Sequence, residues 1–271
     1  MITGTLSKMK SALEDTVRYT LLVGENQVEL TPLIGKSLTL THTGNIYCDA
    51  CGNKTNKSFS QGHCFTCMRK LARCDMCIMK PETCHFAEGT CREPEWGEQF
   101  CMTDHIVYLS NTSGLKVGIT RASQIPTRWI DQGATQALPI IKVKNRHLSG
   151  LVEIALAEFV ADKTNWRALL KGDNEPLDLK AEARRLLPLI DAKLYSLRIQ
   201  YGFDAIDPIF HDIVTISYPV TQHPTKIVSH NFDKEPVVSG VLEGIKGQYL
   251  IFDTGVINIR KFTSYEVNVE Y

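Results

Sequence analysis

All nine cysteines of this 271-residue chain lie between Cys48 and Cys101, and no other feature restricts the fold so strongly. The set is odd in number and clustered, and the opening "MITGTLSKMKSALEDT" lacks the apolar core of a secretory signal. Both observations point to metal thiolates in a reducing compartment, so a cytoplasmic protein is expected. Cys48-x2-Cys51 and Cys64-x2-Cys67 are separated by twelve residues. Each C-x2-C pair turns two sulfurs toward one ion, and two pairs complete a tetrahedral site. The connecting loop "GNKTNKSFSQGH" is polar and Gly-flanked, as a knuckle connection should be. Structural zinc is the expected occupant; an iron–sulfur cluster, a redox dithiol or unrelated buried thiols are the alternatives.

A second set follows, Cys74-x2-Cys77-x6-Cys84-His85-x5-Cys91. Cys74, Cys77 and Cys91 predict a second structural zinc with Cys84 as fourth ligand, or His85 in its place, since the adjacent pair cannot easily both reach one ion. Cys101 is left over as a buried thiol. Both sites read as closed, which argues for scaffolding rather than hydrolysis at zinc. A module this small has too little core to stand without a metal staple. Seven basic and seven acidic residues balance within it, so no basic face is demanded.

The net charge of the whole chain is zero, so any nucleic-acid site must be a local patch. No apolar run reaches the length of a membrane span. An α+β fold in four segments is expected. Residues 1–47 alternate as strands, with "GENQ" as a turn; 48–101 form the zinc-ribbon-like module; 102–205 form an α/β core with a helical extension; 206–271 return to β structure. The last segment is expected to pack with the first as one discontinuous β domain, its hairpin turning at Asp253-Thr254-Gly255.

In the core, the pattern predicts strands at Ile106–Ser110 and Leu115–Thr120 and a short helix that starts near Pro126 and stops at Gly133. A third strand in "QALPIIKVK" and a helix from Leu148 to Ala161 follow. A later helix should kink or split at Pro188. Residues 102–150 carry six Lys or Arg against Asp104 and Asp131. Arg121, Arg128, Lys142, Lys144 and Arg146 are therefore candidate contacts to a phosphate backbone, with a solvated basic face as the bland alternative. Glu153 has Ser149, Gly150, Leu156 and Ala157 as helical neighbours, so its carboxylate needs a cation or a helix N-terminus nearby.

The order of hairpin tyrosine, helix arginine and second-helix glutamate resembles the GIY-YIG nuclease domain over about residues 104 to 163. "IVYL" matches the first signature with Tyr108, "LKVGIT" matches the second with Gly118, and Arg128 and Glu153 follow in order. The resemblance implies a ββαβα core and phosphodiester hydrolysis. Tyr108 would help activate a water, Arg128 would stabilise phosphate charge, Glu153 would hold one Mg²⁺, and Lys116 could lower the tyrosine pKa. Lys116 stands where the family has its second tyrosine, and "RWIDQG" lacks the histidine that usually follows the arginine. Packing alone would also explain Tyr108 and Arg128.

The whole chain further resembles an uncharacterised bacterial family that joins a cysteine-rich module to such a core. The stretches that carry this are "CDMCIMKPETCHFAEGTCREPEWGEQFC", "VGITRASQIPTRWIDQGA" and "GQYLIFDTGVINIRK". Together these readings imply a zinc protein associated with DNA or RNA, either a Mg-dependent nuclease or a noncatalytic nucleic-acid- or protein-binding protein.

Overall fold

The computed structural model describes residues 1–160, 163–172 and 175–271. The first segment supplies β1 (Ile2–Thr5), β2 (Lys10–Ala12), β3 (Arg18–Val23), β4 (Asn26–Glu29) and β5 (Ser37–Ile46). In β3 the alternation is realised directly, with Tyr19, Leu21 and Val23 buried on one face. Gly24, at φ +58°, turns β3 back onto β4 through two residues, so β4 starts inside the stretch expected to be a turn. β2, β3 and β4 make a small three-stranded sheet.

The cysteine module contains only α1 (Phe65–Lys70) and α2 (Pro94–Phe100), linked by single 3-10 turns. The core then runs β6 (His105–Asn111), β7 (Leu115–Arg121), α3 (Thr127–Asp131), β8 (Gln136–Val143) and α4 (Arg146–Ala157). α5 (Trp166–Lys171), α6 (Leu179–Tyr201), β9 (Ile206–Pro208) and β10 (Val214–Thr215) follow. β6 lies centrally, with β7 and β8 antiparallel on its two sides, and β9 and β10 both pair with β8.

Two helices differ from their sequence reading. α4 starts two residues before the expected Leu148, because the Asn145 side chain caps it by accepting from the Leu148 N–H at 2.9 Å. Its expected end, Ala161, lies outside the described residues. α6 is not split at Pro188. Ala183, Leu186, Ile190, Leu194 and Leu197 are buried on both sides of the proline, whereas Pro188 faces solvent. Packing holds the helix together, and water can satisfy the carbonyl that loses its N–H partner.

The last segment gives β11 (Val237–Lys246), β12 (Tyr249–Phe252), β13 (Gly255–Asn258) and β14 (Tyr265–Glu270). β14 inserts between β1 and β5, and β5 pairs with β11 on its other side, so the two ends of the chain share one six-stranded sheet ordered β1-β14-β5-β11-β12-β13. Two large cores result. One fills the space between this sheet and the Ile106–Tyr108 face of β6; the other joins the Val107–Leu109 face to α4 and α6. No helix among the described residues is long and apolar enough to cross a membrane.

Leu40, fully buried on β5 between β14 and β11, tests whether the two chain ends form one cooperative unit. Leu40→Ala should lower unfolding stability by about 2–5 kcal/mol in a single transition seen alike by far-UV and near-UV circular dichroism. Two separate transitions, with only one displaced, would show that the sheet is not a shared unit.

Candidate functional site

The sulfurs of Cys48, Cys51, Cys64 and Cys67 all lie within 4.8 Å of one another, with Cys51 and Cys64 3.9 Å apart. Zinc–sulfur bonds of about 2.3 Å in a tetrahedron place sulfurs roughly 3.8 Å apart, so the set fits one zinc ion. Tight turns at the two pairs produce this gathering. Cys64 caps α1, its sulfur facing the Cys67 N–H at 3.5 Å. Burial opposes ionisation of Cys48, but backbone N–H groups of Cys64, Cys51 and Ala50 outweigh it and lower the thiol to about 6. Cys67 is pushed up to about 12, first by its hydrogen bond with Cys64 and then by burial. Four thiolates cannot share this space without a cation among them, which is what a bound metal supplies.

In the second half of the module, Asp75, Cys77 and His85 bring donor atoms within 4.8 Å of one another. Cys77, Cys84 and Cys91 line a common small cavity with Cys101. Cys74 is not part of that lining; its surroundings include Ser60, Arg73, Arg92 and Cys48.

An open cleft of about 450 Å³ lies where the core, the cysteine module and the terminal sheet meet. Lys116, Gly118, Arg121, Arg128, Arg146 and Glu153 line it, as do Lys8 and Arg260 from the two ends of the chain. Among the described residues, six cationic side chains and two carboxylates, Asp131 and Glu153, thus share one concave surface. Asp131 is already engaged: it pairs with Lys8 and accepts from the Gln248 Nε2–H at 2.9 Å. Arg260 donates from Nε to Gln61 Oε1 at 2.6 Å, and burial followed by the neighbouring Arg128 charge disfavours its protonated form. Two mutually repelling guanidiniums in a concave surface favour an anion between them. Arg146 donates to the Ile78 carbonyl at 2.7 Å, and Arg121 stacks 4.8 Å from the Phe100 ring centroid, so both are tied to the cysteine module.

Tyr108 lies inside the core. It is fully buried beneath the cleft, and its hydroxyl donates to Gln132 Oε1 at 2.7 Å. Burial pushes the phenol up to about 12; Arg128 lowers it, while Glu153 and Asp131 raise it. Lys116 reaches Thr164 Oγ1 at 3.4 Å. By donating to Gln132 Oε1, the Tyr108 hydroxyl ties β6 to the residue that follows α3. Gly118, its cross-strand partner, is required by the same packing: a Cβ there would stand 2.8 Å from Tyr108 Cζ and hydroxyl oxygen.

The family model described as "Protein of unknown function (DUF2797)" matches residues 35–267. The chain belongs to the DUF2797 family. No curated protein and no solved structure matches it. The DUF2797 match takes in the whole cysteine module and the core, but begins after Lys8 and the strands β1 to β4.

Lys142 and Lys144 are not brought to the cleft of this DUF2797 chain. They project from the far end of β8, where Lys142 pairs with Asp104 at 2.8 Å and Lys144 pairs with Asp204. Lys8, Gln132 and Arg260 are cleft residues that sequence reasoning did not select. Gln132 stands in "RWIDQG", where the nuclease resemblance lacks its histidine, so its position carried a signal; Lys8 and Arg260 carried none.

Gly118→Ala should destabilise the protein by about 1–3 kcal/mol, because the buried Tyr108 ring cannot withdraw from the added methyl. Urea denaturation measures this. The Gly118→Ala, Tyr108→Ala double variant should be less destabilised than the sum of the single changes, and strict additivity would show that the contact is not the cause.

Proposed function

We propose that the cleft binds the phosphate backbone of a nucleic acid on a divergent GIY-YIG-like core, with the cysteine module and terminal sheet as its walls. The observation that carries this reading is the convergence of Lys8, Lys116, Arg121, Arg128, Arg146 and Arg260, from distant parts of the sequence, onto one concave surface. A net-neutral chain has no general excess of cations to place there, so the enrichment is local. The ββαβα order and the Tyr108–Gly118 pairing support the GIY-YIG-like part of the reading.

A second reading, Mg²⁺-dependent hydrolysis, is favoured by Glu153 lining the same cleft as Arg128. Glu153 is the residue to which the GIY-YIG resemblance assigns the ion. One carboxylate completed by water and substrate phosphate is a usual Mg²⁺ environment, and the ion would polarise the phosphate. Arg128 would neutralise the charge that develops on the phosphate. Tyr108 would act through Gln132, as a positioning residue.

Binding of labelled single- and double-stranded DNA and RNA, measured across salt concentrations, tests the first reading. If two or three phosphates are contacted, affinity should fall roughly 10- to 40-fold between 50 and 200 mM salt, and Arg128→Ala should lower the logarithmic slope by about one. Absence of binding to all four substrates at low salt would refute it. Glu153→Gln separates the two readings: it should tighten binding by removing a like charge, and abolish any Mg²⁺-dependent cleavage. Cleavage that survives Glu153→Gln rules out the hydrolytic reading.

A further inference from the structure

The second half of the cysteine module contains a site that neither the first zinc set nor the cleft accounts for. Cys77, Cys84, Cys91 and Cys101 line one largely enclosed cavity of about 10 Å³, room for a single water molecule or metal ion. Their spacing is Cys77-x6-Cys84-x6-Cys91-x9-Cys101. Cys101 reaches the cavity because it ends α2, and Gly97 within that helix lets Cys91 pack close: a Cβ at Gly97 would lie 3.3 Å from the Cys91 sulfur.

The polar groups around the cavity sort into two shells. Asp75 accepts from Arg92 Nε at 2.6 Å and faces His85 Nε2 at 3.5 Å, while His85 Nδ1 meets Thr90 Oγ1 at 2.7 Å. Asp75 and both His85 nitrogens therefore have protein partners already, as outer-shell groups do. Arg146 supplies an independent observation. Its Nε is buried with no partner among the described residues, and its charge acts on Cys101, Cys77 and Cys84. A guanidinium placed in this way calls for an anion, and four neutral thiols provide none.

We propose that Cys77, Cys84, Cys91 and Cys101 bind one zinc ion as a second four-thiolate centre, with Arg146 as its counter-cation. Four thiolates on Zn²⁺ leave two negative charges, which places an anion beside the guanidinium. The four sulfurs are less closely gathered than those of the first set, so binding contracts them around the ion. Cys101 takes the place that local spacing gave to Cys74. The centre sits directly behind the cleft, because Arg146 bonds to the Ile78 carbonyl and both residues line that cleft.

Elemental analysis of the purified full chain should find two zinc ions per molecule. Cys101→Ser should reduce this to one, whereas Cys74→Ser should leave two. One zinc in the unmodified chain, or iron with acid-labile sulfide, overturns the proposal. So does loss of the second zinc in Cys74→Ser while Cys101→Ser keeps it. Should Cys101→Ser fail to fold, Co²⁺ titration of the unmodified apoprotein decides. Two equivalents with thiolate-to-cobalt charge-transfer bands and strong tetrahedral ligand-field absorption are expected, and saturation after one overturns the assignment.

Discussion

Strand β6 is buried from His105 to Asn111, and the need to cover both of its faces organises the molecule. Side chains alternate along a strand, so Ile106 and Tyr108 emerge on one side and Val107 and Leu109 on the other. The first pair joins the core shared with the terminal sheet, and the second joins the core under α4 and α6. Helices cover one face in the usual α+β manner. The other face is covered by a sheet built from both ends of the chain. Tyr108 thereby lies within a core, with its hydroxyl donating to Gln132.

The cleft follows from that arrangement. It opens along β7, the neighbour of β6, and α3 and α4 deliver Arg128 and Glu153 to its lining. The terminal sheet brings Lys8 and Arg260 because it packs against the same core. Gln248 and Lys8 hold Asp131 between these two parts by a hydrogen bond and an ion pair. Cations from separate elements are thus concentrated where an extended anion could lie against all of them.

The cysteine module is the third wall, and it has little apolar core of its own; of its residues, Ala72, Cys48 and Cys101 are among the few buried hydrophobics. It is fastened from outside. The Pro81–Thr83 turn presses against α4 at Gly150, where a Cβ would come within 2.5 Å of the Glu82 nitrogen. Metal staples replace the missing core in a module of this kind. A rigid module in turn fixes Arg146 and Arg121, which reach from the core to Ile78 and Phe100.

Local pattern alone determined the elements of the core and the first metal set. Period-two alternation, the Gly133 stop and the first two C-x2-C pairs are short-range signals, and each was realised close to its expected place, whereas Cys74 was not brought to the cavity that Cys77 lines. Pro188 shows where such signals fail: a local helix breaker yielded to a buried stripe that extends on both sides of it. Contacts distant in sequence were decided only by the fold. Spacing grouped Cys74 with Cys77 and left Cys101 aside, whereas the fold brings Cys101, at the end of α2, to the cavity that Cys77, Cys84 and Cys91 line. Lys8 and Arg260 are ordinary surface residues in sequence and became cleft residues only when β14 closed the sheet between β1 and β5. Lys142 and Lys144 looked equally suitable by charge, yet the direction of β8 turned them to Asp104 and Asp204. Charge can be counted along a chain, but the surface on which it gathers depends on which segments pack together.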